Sequence, residues 1–276
     1  MNSEKRGPGF YILTAFFALF VLFLYGPLTT IFILSFQGPN GGLTFPMNGA
    51  SVHWFRNLLF EQQAVGDFGG AFSRSLILGL MTMVATVVVS LLAGLAFRRR
   101  FLGSGPLFYL TIASLIVPSI LVSLGIGLAF QVFGLSPAWY SSAFGAHLTW
   151  TLPFGLLIMF AVFNRFNPAY EEAARDLGAT SWQTFAHVVL PIILPSLVGV
   201  GLFGFTLSYD EFARTLMTAG TFNTLPLEIY GMTTNVTTPV LYALGTVTTL
   251  FSMGIIVVAL VVIATLRKRR ARKVAG

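Results

Sequence analysis

Long uncharged apolar segments constrain this 276-residue chain more than any other feature. A helix rises about 1.5 Å per residue, so about 20 apolar residues cross about 30 Å of hydrocarbon. Six segments are long enough, and none contains Asp, Glu, Lys or Arg in its interior. They are continuously apolar, whereas transmembrane β-strands alternate with a period of two residues. The predicted spans cover residues 10–36, 75–97, 107–133, 144–163, 188–209 and 241–266.

The amino-acid composition supports a membrane protein. Charged residues make up 9% of the chain and hydrophobic residues 55%. Soluble domains carry roughly 25% charged residues, so this chain could not cover a globule with a solvated surface. A soluble enzyme, a disordered chain and a coiled coil are thereby excluded. The first apolar segment is too long for the hydrophobic region of a signal peptide and predicts a retained span. The predicted fold class is an all-α polytopic membrane protein with six transmembrane helices.

Lysine and arginine predict the orientation, because cytoplasmic loops of membrane proteins are enriched in them. We assign both termini and the loops over residues 98–106 and 164–187 to one side of the membrane. That side then holds thirteen of the sixteen basic residues. We therefore expect N-in/C-in topology in a lipid bilayer. Residues 1–9 are the cytoplasmic N-terminus, 10–266 the transmembrane domain and 267–276 a basic tail. The net charge of +7 then reflects topology and requires no nucleic-acid partner.

The cytoplasmic segment 164–187 is predicted to form two short helices. Asn167 followed by Pro168 is typical of a helix start, and Gly178 of a helix end. Thr180 and Gln183 have the spacing of a capping box at the start of the second helix. The first helix should carry one narrow apolar face, formed by Tyr170, Ala173, Ala174 and Leu177.

The character of this helix favours docking to a protein over binding to lipid. Helices that lie on anionic lipid carry Lys and Arg on the polar face and bulky apolar anchors on the other. Here the polar positions are mainly acidic and the apolar face is lined by alanine. Glu171 and Arg175 stand at i and i+4 in the favourable order, which predicts an ion pair.

Several other features favour structural explanations. A short amphipathic helix is predicted after Ser51 in the first external loop. Prolines inside spans are explained by packing geometry more readily than by hinges; they are Pro27, Pro118, Pro153 and Pro195. The histidines lack metal-ligand spacing and are interpreted as packing or interfacial residues; they are His53, His147 and His187. The chain has no cysteine, so thiolate metal sites and disulfides are excluded.

One motif in the cytoplasmic segment resembles a known family. Glu172-Ala173-Ala174, three residues, Gly178, nine residues and then Val188-Val189-Leu190-Pro191 match the EAA motif of the membrane subunits of binding-protein-dependent ABC importers. Val188 departs from the usual isoleucine. Arg74-Ser75-Leu76 resembles the family's N-S-L, with Arg74 in place of asparagine. The resemblance covers about residues 68–266.

The resemblance implies a type I ABC importer permease fold with cytoplasmic coupling helices, in a bacterial inner membrane. It implies as partners two copies of a cytoplasmic ATPase subunit, a second homologous permease and an extracytoplasmic binding protein, with a heterodimeric permease pair favoured over a homodimer. No phosphate-binding loop followed by lysine is present, so we expect no enzyme activity or cofactor in this chain, and ATP and Mg²⁺ on the ATPase. The expected coupling residues are Glu171, Glu172, Ala173, Ala174, Arg175, Asp176, Leu177 and Gly178.

A narrower resemblance concerns residues 205–212 and 224–230. These segments are similar to the second permease subunit of spermidine/putrescine-type transporters, and related permeases for opines, aminoethylphosphonate, ferric iron and thiamine share parts of them. Carboxylates beside aromatic rings suit an amine cation. We therefore expect the substrate pathway to include Phe205, Tyr209, Asp210, Glu211 and Phe212.

Three alternatives stay open at this point. Asp210 and Glu211 could simply form a solvated helix end. An autonomous secondary carrier would usually place ionisable residues at mid-membrane, and no Asp, Glu, Lys or Arg stands there. A membrane scaffold or receptor would not need the EAA spacing.

Overall fold

The computed structural model describes residues 7–60, 66–99, 101–235 and 238–275. Within these ranges the chain is helical, with one isolated β-bridge between Gln37 and Ala50. The helices are α1 Pro8–Leu34, α2 His53–Phe60, α3 Phe68–Phe97, α4 Ser104–Ala113, α5 Ser119–Val132, α6 Phe144–Asn164, α7 Ala169–Asp176, α8 Ser181–Thr184, α9 Leu190–Tyr209, α10 Leu225–Asn235 and α11 Val240–Ala275.

Five helical stretches in the described ranges are long and apolar enough to cross a membrane. Two include a π-helical turn, which extends α6 at its start and joins α8 to α9. Each stretch overlaps one of the predicted spans. They are Pro8–Leu34, Phe68–Phe97, Trp139–Asn164, Ser181–Tyr209 and Val240–Val262.

The predicted span over residues 107–133 is not one continuous helix, because two shorter helices, α4 and α5, occupy it. Pro118 has no N–H and restrains Val117 away from the helical region, so the chain cannot continue straight. Ser114 Oγ donates to the carbonyl of Thr149 on α6, 2.8 Å away, which fixes the break to a neighbouring helix. The other three in-span prolines remain inside their helices, as predicted; they are Pro27, Pro153 and Pro195.

The chain divides into two compact units. The first comprises residues 1–67 and 231–253, and its loop after α1 is organised by one buried amide. Gln37 Nε2 donates to the Gly42 carbonyl at 3.1 Å, and its Oε1 accepts from the Asn48 N–H at 2.8 Å. The predicted helix after Ser51 is confirmed as α2, and Ser51 Oγ accepts from the His53 N–H at 3.0 Å.

The second unit comprises residues 68–230 and 254–276. Its centre is the packing of α3, α6 and α9. Small residues let these helices approach closely, as is usual in membrane bundles. A Cβ at Gly94 of α3 would lie 2.9 Å from Met159 Cβ and from a ring carbon of Phe163 on α6. The core that results is apolar and includes Met159, Phe163, Val189, Ile193, Leu197 and Val200.

Candidate functional site

The predicted first cytoplasmic helix is confirmed as α7. It begins at Ala169, one residue after the predicted start, and Asn167 Oδ1 accepts from the Ala169 N–H at 3.0 Å. It ends at Asp176, and Gly178 follows two residues later with a φ of 84°, in the left-handed region that favours glycine. The Gly178 N–H donates to the Arg175 carbonyl at 2.8 Å, which closes the helix end.

The predicted capping box is also confirmed. Thr180 Oγ1 accepts from the Gln183 N–H at 3.3 Å, and Gln183 Oε1 accepts from the Thr180 N–H at 2.8 Å. The box starts α8, which continues through a π-helical turn into α9. A sharp turn at Gly178 therefore joins α7 to a long helix that reaches the core of the second unit.

Large apolar side chains of this turn point away from the packed helices. Leu177 is 90% exposed, Trp182 72% and Tyr170 54%. Ala173 is exposed as well, whereas Ala174 is half-buried. We call the surface formed by Tyr170, Ala173, Leu177 and Trp182 the α7–α8 surface. Exposed apolar surface bordered by charged residues is typical of a protein contact site.

An ion pair fixes α7 to the end of α3. Arg98 donates from both terminal nitrogens to Glu171, at 2.8 and 2.7 Å, and stacks on the rings of Phe163 and Phe166 at 5.2 and 5.4 Å. The hydrogen bonds from Arg98 lower the pKa of the Glu171 carboxyl, and this partner raises the pKa of Arg98. The predicted pair of Glu171 with Arg175 is wrong. Arg98 offers two aligned donors, which a flexible pair along one helix rarely matches.

Sequence analysis missed the role of Arg98. The residue belongs to the run of arginines behind the topology prediction, and residues 93–98 resemble the small-residue and arginine exit of the importer family, but neither feature indicates a partner 73 residues away. A single sequence has no signal that joins two residues at this separation. The remaining predicted coupling residues occupy α7 and its end; of these, Glu172, Arg175 and Asp176 are exposed.

The predicted substrate residues separate into two environments at the end of α9. Phe205 and Tyr209 are 5% and 4% exposed and stack on each other, with ring centroids 5.7 Å apart. The Phe205 ring also lies where a Cβ at Gly79 of α3 would approach to 2.9 Å. These two rings therefore belong to helix packing, whereas Asp210, which follows the last residue of α9, is exposed.

Glu211 and Phe212 stabilise the segment that follows. Glu211 Oε1 accepts from the Arg214 N–H at 2.9 Å, and the Glu211 carbonyl accepts from Thr215 Oγ1 at 2.6 Å. Phe212 is half-buried, with its ring 5.1 Å from that of Tyr230. Of the two predicted carboxylates, that of Glu211 accepts a hydrogen bond from the Arg214 N–H, and Asp210 is exposed.

Arg214 is a buried residue that sequence analysis placed in an external loop. It is 0% exposed, donates from one terminal nitrogen to Thr149 Oγ1 and lies 4.9 Å from the Trp150 ring. Ser123 Oγ of α5 donates to the Arg214 carbonyl at 2.9 Å. A single arginine in a polar segment is normally expected to be solvated, so nothing in the sequence indicated that Arg214 is buried.

His147 belongs to the same buried region, in line with its predicted packing role. Its Nδ1 lies 2.7 Å from Ser208 Oγ, and its Nε2 lies 2.9 Å from Thr215 Oγ1. Ser208 in turn donates to Thr82 Oγ1 of α3 at 3.2 Å. A polar network thus links α3, α6 and α9 to the segment after α9. Within the described residues no group of three or more His, Cys, Asp or Glu is arranged to hold a metal ion.

Known proteins resemble this chain over most of its length. The profile of the family described as binding-protein-dependent transport system inner membrane component matches residues 86–272. The spermidine/putrescine transport system permease protein PotC of Haemophilus influenzae is 28% identical over 91% of this chain and 95% of its own length. The putrescine transport system permease protein PotI of Escherichia coli K12 is 26% identical over 91% of this chain and 90% of its own length.

Solved structures share the fold at lower sequence identity. A chain of a bacterial ABC transporter involved in import of the acidic polysaccharide alginate superposes with a TM-score of 0.67 at 15% identity, covering 94% of this chain and 98% of its own. A chain of the MetNI methionine ABC transporter, in inward-facing conformations, superposes with a TM-score of 0.57 at 16% identity. The match covers 75% of this chain and 98% of that one. The type I fold neighbours and the family match agree with the EAA spacing. The chain therefore belongs to the family of binding-protein-dependent transport system inner membrane components and is a permease subunit of an ABC importer.

Proposed function

We propose that this permease subunit spans the inner membrane six times with both termini in the cytoplasm. The third span is then a broken helix made of α4 and α5, tied to α6 at its break by the hydrogen bond from Ser114 Oγ to the Thr149 carbonyl. The excess of basic residues on one side supports this orientation. A second homologous permease completes the translocation pathway, and the pair is a heterodimer.

The α7–α8 surface couples this subunit to ATP hydrolysis. The observation that carries this assignment is the exposure of Leu177 and Trp182 on a helix pair with the EAA spacing. Each permease contacts one copy of a cytoplasmic ATPase subunit, which holds ATP and Mg²⁺. Closure of the two ATPases pulls the two α7–α8 surfaces together and swings the spans between inward- and outward-facing states, as rigid bodies. The ion pair of Arg98 with Glu171 transmits this movement to α3.

The cargo is a polyamine or a related amine, delivered by an extracytoplasmic binding protein. Similarity to the PotC and PotI permeases supports this substrate class. The exposed carboxylate of Asp210 supplies the negative charge that an amine requires at the end of α9. Phe205, Tyr209, Glu211 and Phe212 hold that end of the helix in place, so their contribution to the pathway is to position Asp210.

Uptake by a reconstituted complex tests this proposal. The permease would be assembled with its second permease, ATPase and binding protein in liposomes, and labelled spermidine and putrescine would be followed with and without ATP. ATP-dependent uptake is expected. Uptake without the ATPase would instead indicate a secondary carrier. Transport of an opine, an aminoethylphosphonate, ferric iron or thiamine, with no polyamine uptake, would refute the substrate class but not the ABC mechanism.

A further inference from the structure

A cavity of about 440 Å³ lies among the end of α3, α7 and the start of α8. Three arginines line it, and one of them is already neutralised by Glu171. Arg99 and Arg175 form no ion pair with the part of the chain that the structure describes. The lining therefore carries a net positive charge, to which the segment just after α3 contributes Arg99 and α7 contributes Arg175, although the Glu171 carboxylate attracts both.

One residue that lines the same cavity has a buried hydroxyl without a hydrogen-bond partner in the described part of the chain. Thr184 is 3% exposed and lines the cavity, and its Oγ1 has no hydrogen-bond partner among the described residues. Buried polar groups in folded proteins are nearly always hydrogen-bonded. The requirement that cytoplasmic loops be basic explains why arginines stand here, but it does not explain an unsatisfied hydroxyl beneath them.

The start of a long helix adds a third contribution. Ser181 lines the cavity and is the first residue of the 29-residue apolar stretch that ends at Tyr209. The N-terminus of a helix carries partial positive charge, which favours anions, although the capping box already satisfies the Gln183 N–H at this start. Arginine forks, hydroxyl donors and a helix start are together the groups that bind phosphate oxygens.

We propose that this cavity is a binding site for a phosphate group, held by Arg99, Arg175 and Thr184. The phosphate bridges α3 to α7 and α8, and so stabilises the same junction that the pair of Arg98 and Glu171 holds. Two sources share this chemistry: the headgroup of an anionic phospholipid, and phosphate free in solution. The site is independent of the cargo assigned above.

Binding to the purified full-length chain in phosphatidylcholine nanodiscs tests the site. Inorganic phosphate would be titrated and thermal unfolding followed. In parallel, phosphatidylglycerol would be added to the nanodiscs and retained lipid counted by native mass spectrometry. Phosphate that raises the unfolding temperature supports the free anion as ligand. Retention of phosphatidylglycerol without a phosphate effect supports the headgroup.

Two variants and a control assign the binding to this cavity. Arg99→Gln removes one charged donor and should raise the ligand concentration needed for half-saturation by about tenfold. Thr184→Val keeps the side-chain volume, removes the hydroxyl and should weaken binding in the same direction. Arg165→Gln removes an exposed arginine outside the cavity and should bind as the wild type does. Equal binding by wild type, Arg99→Gln and Thr184→Val, or binding of neither phosphate nor phosphatidylglycerol, would overturn the proposal.

Discussion

Arg98 shows how a single residue can connect two parts of a membrane protein. Its charge lies at the end of α3, its guanidinium stacks on two phenylalanine rings, and both terminal nitrogens bond Glu171 on α7. The side chains of the pair are 25% and 14% exposed, so water competes only partly with the contact. Such partly buried bidentate pairs contribute more than the fully exposed pairs that dominate protein surfaces.

A double-mutant cycle measures this connection. Arg98→Gln and Glu171→Gln should each reduce ATPase stimulation by the loaded binding protein, because α7 is no longer held to α3. The double variant should lose no more ATPase stimulation than the worse single variant. The expected coupling energy between the two residues is about 1–2 kcal/mol. Strictly additive losses in ATPase stimulation would show that the two residues act separately. Complex assembly, followed by co-purification of the ATPase, is the control.

The acid response of the same pair follows from the pKa of Glu171. Its pKa in the folded protein is lowered from the ordinary value of 4.5, chiefly because it accepts hydrogen bonds from Arg98. The contribution of the pair to the free energy of unfolding is therefore fully present above about pH 4.5 and declines as the pH falls through the lowered pKa. Wild type should unfold at a higher temperature than Glu171→Gln at pH 7, and the gap should narrow below pH 4.5. A constant gap would contradict the assignment.

Asp210 carries the residue-scale prediction for the cargo. Asp210→Asn removes the exposed charge and should raise the KM for polyamine uptake by about tenfold, because one charge-assisted contact is lost. Asp210→Glu keeps the charge and should recover most of that loss. Assembly with the ATPase should stay unchanged in both. Uptake kinetics of Asp210→Asn equal to those of wild type would remove Asp210 from the pathway.

At the scale of elements, sequence analysis succeeded where local chemistry decides. The Asn167 side chain before α7, the Gly178 turn after it and the capping box of Thr180 with Gln183 each involve residues within four positions of one another. It failed where tertiary contacts decide. Pro118 permits either a kinked span or a break, and the bond of Ser114 to Thr149 on another helix accompanies the break. Arg214 was missed for the same reason, since α5 and α6 supply its partners.

The turn between α7 and α8 depends on one backbone conformation. At Gly178 a Cβ would meet no atom within 4 Å, so the positive φ alone penalises a side chain. Gly178→Val should cost about 1–2 kcal/mol of local stability and displace the α7–α8 surface, which should abolish both uptake and ATPase stimulation. Gly199→Ala is the matched control, because that site also has free space but lies within α9 at negative φ. Normal uptake by Gly178→Val would show that this turn is not needed for coupling.

At the scale of the whole molecule, basic and acidic residues concentrate in different segments. Thirteen of the sixteen basic residues lie on the predicted cytoplasmic side, and the spans contain no Asp, Glu, Lys or Arg in their interiors. Acidic residues concentrate on α7 and just after α9, the segments assigned to the ATPase and the cargo. The all-helical fold and the family could thus be predicted from sequence, because they depend on hydropathy and motif spacing; the coupling role of α7 stays a prediction. The contacts between side chains of different helices could not be predicted from sequence.

The most direct test of the central claim is a cross-link between the α7–α8 surface and the ATPase. The chain has no cysteine, so Leu177→Cys and Trp182→Cys each introduce a single reactive thiol. Leu102→Cys is the matched control, because Leu102 is a fully exposed leucine just beyond α3 and outside the α7–α8 surface. With a short bifunctional reagent, the assembled complex should give ATPase adducts from positions 177 and 182 and none from position 102. No adduct from position 177, or equal adducts from 177 and 102, would contradict the assignment of this surface as the coupling site.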